Sequence, residues 1–154
     1  MLDLSHRPNL LYLASIERMD ASRRLLQSKP HDYVLANYLA GLSVECILQA
    51  LALNNGASHD ARHSLPKWLA KCPSSLHEIL KTSAHWSLLV ALWDNNMRYL
   101  SFDGLLGYFR KKGCVRGKKG GVESIVRKVT MELLNAAQDV QNKGIAVWLS
   151  STKK

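Results

Sequence analysis

The stretch from Tyr33 to Asn54 constrains this chain more than any other part of the sequence. On a helical projection its apolar residues fall on every side, and a helix that is apolar all round must be buried all round. Glu45 is its only charged residue. A solitary buried carboxylate is costly unless another group pairs with it, donates a hydrogen bond to it or protonates it. The sequence therefore predicts a buried central helix and a partner for Glu45 elsewhere in the chain.

This stretch also has the length of a membrane span, but its composition favours the core of a soluble protein. It contains Asn37, Ser43 and Gln49 and lacks a flanking belt of aromatic or basic residues. The N-terminus has no basic region followed by an apolar one, so neither a secretory signal nor a membrane association is expected. Three widely spaced cysteines, with Cys46 inside the buried helix, suit a reducing cytoplasm without disulfides.

The length of 154 residues predicts a single domain, 1–154, large enough to bury its own core. Apolar residues recur at spacings of three and four around Leu10–Gln27, Trp68, Trp86 and Val122 onward, and strand-like alternation is absent from the sequence. The fold class expected is all-α, as an antiparallel up-and-down bundle of four to five helices. The tryptophans are expected as core or dimer-interface anchors.

Local signals place several helix ends. Pro30 disfavours a helical conformation at Lys29 and so separates the first helix from the central one. Asp32 can cap the central helix, and Gly56 can end it in a left-handed conformation. The Ser75–Glu78 segment has the Ser-x-x-Glu spacing of a capping box. Gly144 is expected to cap or kink the last helix.

A basic, glycine-rich segment at about 107–121 is the second informative feature. The formal net charge of +9 favours polyanionic partners. Much of this charge lies in the segment, and Tyr108 and Phe109 there, with Tyr99 before it, could stack on bases as single-strand binding requires. The alternative is a solvated, disordered loop that maintains solubility. The candidate nucleic-acid-binding cations are Arg110, Lys111, Lys112, Arg116, Lys118 and Lys119.

Residues 38–50, Tyr-Leu-Ala-Gly-Leu-Ser-Val-Glu-Cys-Ile-Leu-Gln-Ala, resemble the long-helix motif of the HEPN superfamily (higher eukaryotes and prokaryotes nucleotide-binding). The His59-Asp60 step, Trp93 and the Arg98-Tyr99 step follow it in the family's order. The resemblance spans most of Asp32–Leu100 and implies an up-and-down helical bundle, often a homodimer. It further implies an RNase of a toxin–antitoxin or defence system, or a partner of a small nucleotidyltransferase.

The RNase members of that family use an Arg-x4–6-His motif, which this chain does not complete. By context Arg98 takes the arginine position, but the histidine positions hold Asp103, Gly104 and Leu105, and no histidine follows Arg98. The Arg24–His31 segment has the bare spacing, yet it precedes the long helix and contains a proline. Cleavage of RNA needs a group that exchanges a proton near neutral pH, usually histidine. Strong nuclease activity is therefore not expected, and an endoribonuclease site would consist of Arg98, Glu45 and Asp103.

Arg98 is the partner predicted for Glu45. The pair could be a polar cleft in which Arg98 holds a phosphate, or a buried structural ion pair whose disruption costs roughly 3–5 kcal/mol. An Arg98 side chain in bulk water, far from Glu45, would remove the main support for both the site and the resemblance.

A metal site is the remaining possibility considered. His59, Asp60 and His63 have a spacing that suits metal ligands on a helix, but the segment is expected to be a loop or helix start. Capping by Asp60 and packing of His59 on the bundle end are expected instead, so no metal and no cofactor are predicted.

These observations predict a cytoplasmic, HEPN-like protein that binds RNA or a nucleotide, is homodimeric, and belongs to a toxin–antitoxin or defence system. Two alternatives stay open. One is a divergent, metal-independent RNase acting at a dimer cleft, which uses Arg98 with Asp103 or with a histidine from elsewhere, such as His59. The other is an interaction module that partners a nucleotidyltransferase, an antitoxin or another acidic protein.

Overall fold

The computed structural model describes residues 7–59 and 63–152, and every regular element within these ranges is helical. The all-α prediction is confirmed. The expected number of helices was wrong, because the described residues form seven α-helices and one 3-10 helix. In chain order these are α1 (Pro8–Gln27), α2 (Tyr33–Asn54), α3 (Leu65–Leu69), α4 (Ser74–Leu80), α5 (Ala84–Leu92), the 3-10 helix (Asn95–Tyr99), α6 (Phe102–Lys111) and α7 (Val122–Ser151).

Helix α2 has the bounds that the sequence predicts. The Asp32 carboxylate accepts a hydrogen bond from the backbone N–H of Leu35 at 2.9 Å, which satisfies one of the free donors at the helix start. After the helix, Gly56 adopts a positive φ of 88°, a conformation that residues with a side chain rarely adopt. Length and composition would also allow α2 to cross a membrane, but 67% of its most apolar window is buried inside the fold.

Helices α1 and α2 pack antiparallel through small residues. The buried hydroxyls of Ser15 and Ser22 donate to the backbone carbonyls of Ser43 and Ala36, both at 2.6 Å. The later serine on α1 contacts the earlier residue on α2, so the two helices run antiparallel. Serine and alanine at these positions allow the two backbones to approach closely, and the hydrogen bonds leave the buried hydroxyls satisfied.

Helix α7 runs parallel to α2 and also contacts α1. Asn37 donates to Thr130 at 2.8 Å, and farther along both helices Gly144 faces Ile47. A Cβ on Gly144 would lie 3.0 Å from Ile47 Cγ1, so the glycine permits close helix contact. Gly144 does not end α7, which continues to Ser151, so its predicted role as a cap was wrong.

The connection from α2 to α7 contains the larger departures from prediction. Helix α4 begins at Ser74, so Ser75 lies inside it and forms no capping box. Helix α6 was not predicted: Ser101 caps it by accepting from Gly104 N–H at 3.1 Å, and Leu105 and Phe109 bury one face. Because α6 includes residues 107–111, the glycine-rich connection begins at residue 112 rather than 107.

Candidate nucleic-acid interface

Gly41 allows Trp93 to hold the 3-10 helix against α2. A Cβ on Gly41 would lie 2.0 Å from Trp93 Cδ1, well inside contact distance, so the indole ring occupies the space of the missing side chain. The indole Nε1–H donates to the Tyr38 carbonyl at 3.1 Å, and the Tyr38 and Trp93 rings stack at 6.4 Å. The 3-10 helix begins two residues after Trp93, so this contact places Arg98 over the first half of α2.

Arg98 does not pair with Glu45, and that prediction was wrong. Its guanidinium is exposed, and its Nη1 donates to Tyr38 Oη at 3.2 Å and to Asn95 Oδ1 at 3.4 Å. Its Cζ lies 5.8 Å from the Tyr38 ring centroid and 4.8 Å from that of Tyr99. The hydrogen bond with Tyr38 raises the pKa of Arg98 above its ordinary value. All these contacts are neutral, so none of them cancels the charge of Arg98.

The residue that pairs with Glu45 is His63. Glu45 is 1% exposed; its Oε1 lies 2.8 Å from His63 Nδ1 and accepts from Gln49 Nε2 at 2.8 Å. Its Oε2 is buried and makes no hydrogen bond with any described residue. Burial raises the pKa of the Glu45 carboxyl, and the hydrogen bond with His63 opposes that shift. The expectation that Glu45 has a partner was correct. Which residue it is could not be predicted, because it depends on how the chain folds back onto α2 after that helix ends.

His63 also opens onto a depression of about 390 Å³ that we call the His63 pocket. Its side chain is 45% exposed, and among the described residues none hydrogen-bonds its Nε2. One nitrogen of the ring is thus held by a buried acid while the other is accessible, an arrangement suited to proton transfer. The pocket is lined by His63, Ser64, Leu65, Pro66, Val90, Trp93, Asp94, Asn95 and Asn96.

Asn95 connects this pocket to a second depression on the far side of Arg98. The Asn95 side chain lines the His63 pocket and accepts from Arg98, and Arg98 lines a groove of about 400 Å³. We call this the Arg98 groove; it is formed by His31, Asp32, Tyr33, Val34, Leu35, Arg98, Leu100 and Phe102. The two depressions follow α2 from Glu45 back to Tyr33, about 18 Å along the helix axis at 1.5 Å per residue.

The basic segment is folded rather than extended. Gly113, Gly117 and Gly120 all have positive φ, and Cys114 and Val115 pack against the core. Its candidate cations lie at the C-terminal end of α6 and in the following turns. Arg110, Lys111, Lys112, Arg116 and Lys119 are exposed.

Three contacts modify the predicted roles in this segment. Lys118 forms an ion pair with Glu132 at 3.0 Å, which offsets its charge. Lys128, which sequence reasoning missed, donates to the Lys119 carbonyl at 2.8 Å and adds a cation from α7. Tyr108 is half-buried and donates to the Leu92 carbonyl at 2.5 Å, whereas Tyr99 is 73% exposed. Phe109 is fully buried, so its predicted stacking role was wrong, and Tyr99 is the most accessible of the three rings.

Asp103 and the proposed metal ligands lie apart from these contacts. Asp103 is exposed in the first turn of α6, where its negative charge interacts favourably with the helix dipole. It pairs with no described residue. The His59 ring lies 6.4 Å from the Trp68 ring, as packing on the bundle end predicts. Asp60 lies outside the described residues. Within ranges 7–59 and 63–152, no three His, Cys, Asp or Glu side chains are grouped for metal binding.

No protein-family model, curated protein or solved structure matches this chain. The HEPN resemblance therefore rests on the sequence motifs alone, and it has lost the Glu45–Arg98 pairing that was its main structural expectation. What the site can do follows from the geometry of Arg98, His63 and the depressions between them.

Proposed function

We propose that this protein binds single-stranded RNA or nucleotides along the face that contains the Arg98 groove. The observation that carries the proposal is Arg98 itself, an exposed cation held by neutral partners and flanked by the 73% exposed ring of Tyr99. An anion placed there meets a guanidinium whose position is already set by Tyr38 and Asn95. A base next to that anion can stack on Tyr99.

The distribution of charge supports the same proposal. Five exposed cations of the basic segment, with Lys128, lie at the α6–α7 end of the molecule and contribute to a net charge of +9. Such side chains attract a phosphate backbone without reading its sequence. The basic segment then supplies long-range attraction, and Arg98 with Tyr99 supplies the local contact.

The test is the binding of a labelled mixed-sequence RNA to Arg98→Ala at several salt concentrations. A lost charged hydrogen bond predicts an affinity roughly tenfold lower. The slope of log affinity against log salt should flatten by about 0.7 for one lost phosphate contact. Arg24→Ala is the matched control, because Arg24 is also exposed but pairs with Asp20 at 3.0 Å. Equal affinities for the two variants would refute the role of Arg98.

The basic segment is tested separately. Replacing Arg110, Lys111, Arg116 and Lys119 together by alanine should lower affinity at low salt and flatten the slope further. An unchanged slope would mean that the segment only maintains solubility.

A second candidate function, a metal-independent endoribonuclease, is favoured by one observation, the contact of His63 with the buried Glu45. In that reaction His63 Nε2 would take the proton of a ribose 2′-hydroxyl as its oxygen attacks the adjacent phosphorus. The bond to the 5′-oxygen then breaks, and that oxygen takes a proton from solvent. His63→Ala should abolish cleavage while RNA binding remains; His77→Ala, on α4, is the control. Cleavage that survives His63→Ala would refute this role.

The remaining parts of the proposal rest on the HEPN resemblance. They are a HEPN-like bundle, a cytoplasmic location, a homodimer, and a place in a toxin–antitoxin or defence system with a nucleotidyltransferase or antitoxin partner. Sedimentation equilibrium tests the homodimer. Co-purification with the product of an adjacent nucleotidyltransferase gene tests the pairing, and a monomer that purifies alone would count against both.

A further inference from the structure

A depression beside the Arg98 groove combines a ring-lined wall with a carboxylate. Its volume is about 730 Å³, and we call it the Glu123 pocket, formed by Lys29, Pro30, His31, Tyr33, Phe102, Val122 and Glu123. It shares His31, Tyr33 and Phe102 with the Arg98 groove. The two depressions therefore adjoin along these three residues.

Three rings form the shared wall. The Tyr33 ring lies 5.5 Å from that of His31 and 6.0 Å from that of Phe102. Tyr33 is buried, whereas Phe102 is 36% exposed. Phe102 thus offers a partly open ring face, and stacking on aromatic faces is how proteins hold unpaired bases.

Glu123 supplies a hydrogen-bond acceptor at the edge of that wall. Its Oε1 accepts from Tyr33 Oη at 3.0 Å, which holds the carboxylate in place. Burial, then the contact with Glu123, raises the pKa of Tyr33, so its hydroxyl stays protonated and continues to donate. Glu123 forms no ion pair with another described residue, so its remaining lone pairs are available.

Two cations lie at the same pocket. Lys29 lines it, and Arg127, one helical turn after Glu123, has Nη1 3.5 Å from His31 Nε2 and also contacts the Tyr33 hydroxyl. A ligand edge that fits must therefore carry adjacent donors for Glu123 and an acceptor for a neighbouring cation. Among the four RNA bases, guanine has that edge: N1–H and N2–H₂ donate, and O6 accepts. Adenine instead presents the unprotonated N1 to the carboxylate, which is repulsive.

We propose that the Glu123 pocket selects a guanine base, with Glu123 bound to its N1–H and N2–H₂ edge, while Arg98 holds the phosphate of the same nucleotide. This inference rests on the proposed RNA- or nucleotide-binding function and adds base selectivity to it. Phe102 provides stacking that is indifferent to the base, and Glu123 provides the discrimination. Tyr33 acts as a positioning residue through its hydrogen bond to the carboxylate.

The experiment is isothermal titration of the full chain with guanosine, adenosine, cytidine and uridine 5′-monophosphates. The wild-type protein should bind the guanosine nucleotide about tenfold more tightly than the others, as expected for one bidentate base contact. Glu123→Gln, which replaces one of the two acceptor oxygens by a donor NH₂ and removes the charge, should abolish the preference. Glu17→Gln is the control because Glu17 is an exposed carboxylate on α1 whose loss changes the net charge equally.

A second variant separates stacking from selectivity. Phe102→Ala should weaken all four nucleotides by about tenfold and leave their ratio unchanged. Equal binding of the four nucleotides by the wild-type protein would overturn the guanine assignment while leaving RNA binding in place. Retention of the preference in Glu123→Gln would also overturn it. If neither RNA nor any nucleotide binds, both the proposed function and this inference fail.

Discussion

Replacing Gly41 by alanine tests whether the contact of Trp93 with α2 organises the interface. The added Cβ would lie 2.0 Å from Trp93 Cδ1, and carbon atoms pack at about 3.5 Å or more, so the indole ring must move by roughly 1.5 Å. Such a shift breaks the 3.1 Å hydrogen bond from Trp93 Nε1 to the Tyr38 carbonyl. The ring is 7% exposed and has little space to move into.

The expected change in the free energy of unfolding of Gly41→Ala is the sum of three contributions. Overpacking a close contact costs about 1–3 kcal/mol, and the lost hydrogen bond costs about 1 kcal/mol. Alanine is better than glycine inside a helix by about 1 kcal/mol, which offsets part of that cost. Gly41→Ala should therefore lower the free energy of unfolding by about 1–3 kcal/mol, or the melting temperature by about 2–12 °C.

Gly107→Ala is the matched control. Gly107 lies inside α6, has no atom within 4 Å of the position of an added Cβ, and has no positive φ. Only the helix-propensity gain applies there, so this variant should be up to about 1 kcal/mol more stable than the wild type. Urea and thermal denaturation of the two variants measure the contrast directly.

A double-mutant cycle with Trp93→Leu locates the cause. When the indole is absent, Gly41→Ala should cost nothing and show only the helix-propensity gain. RNA affinity should fall in Gly41→Ala but not in Gly107→Ala, because Trp93 places the segment that carries Arg98. Equal or higher stability of Gly41→Ala in the wild-type background would refute the reasoning.

Two further predictions concern buried titratable groups. Because burial raises the pKa of Glu45 above its ordinary 4.5, the folded state binds more protons than the unfolded state between 4.5 and the raised value. This contribution to stability is present at lower pH and lost as the pH rises through that window. Glu45→Gln should remove the dependence and be at least as stable as the wild type at neutral pH; unchanged urea titrations across this range would contradict it. Burial also raises the pKa of Cys46 and Cys72 to about 12. Burial raises the pKa of Cys114 as well, but this thiol is only half-buried, so in the folded protein iodoacetamide at pH 8 should label it first. Mass spectrometry that finds Cys46 or Cys72 modified before unfolding would contradict this expectation.

The sequence by itself determined the elements whose signals are local. Asp32 lies directly before an unbroken apolar stretch and Gly56 lies just beyond its end, so capping and backbone conformation alone predict both ends of α2. The need for a partner at Glu45 was equally clear, because a buried charge without one is costly in any fold. Helix α6 was missed although Ser101 and the spacing of its apolar residues provided a signal; its two glycines and basic end resemble a loop.

Only the tertiary structure determined which group pairs with Glu45 and where the Arg98 side chain points. Both Arg98 and His63 have a charge or donor that suits a buried carboxylate, and no local pattern distinguishes them. The choice depends on how the chain returns to α2 after Asn54 and on the close contact that Gly41 allows to Trp93. Those contacts join residues far apart in sequence, and their geometry arises from the packing of whole helices. The site therefore exists only in the folded chain, where helix packing brings the depressions lined by His63, Arg98 and Glu123 next to one another.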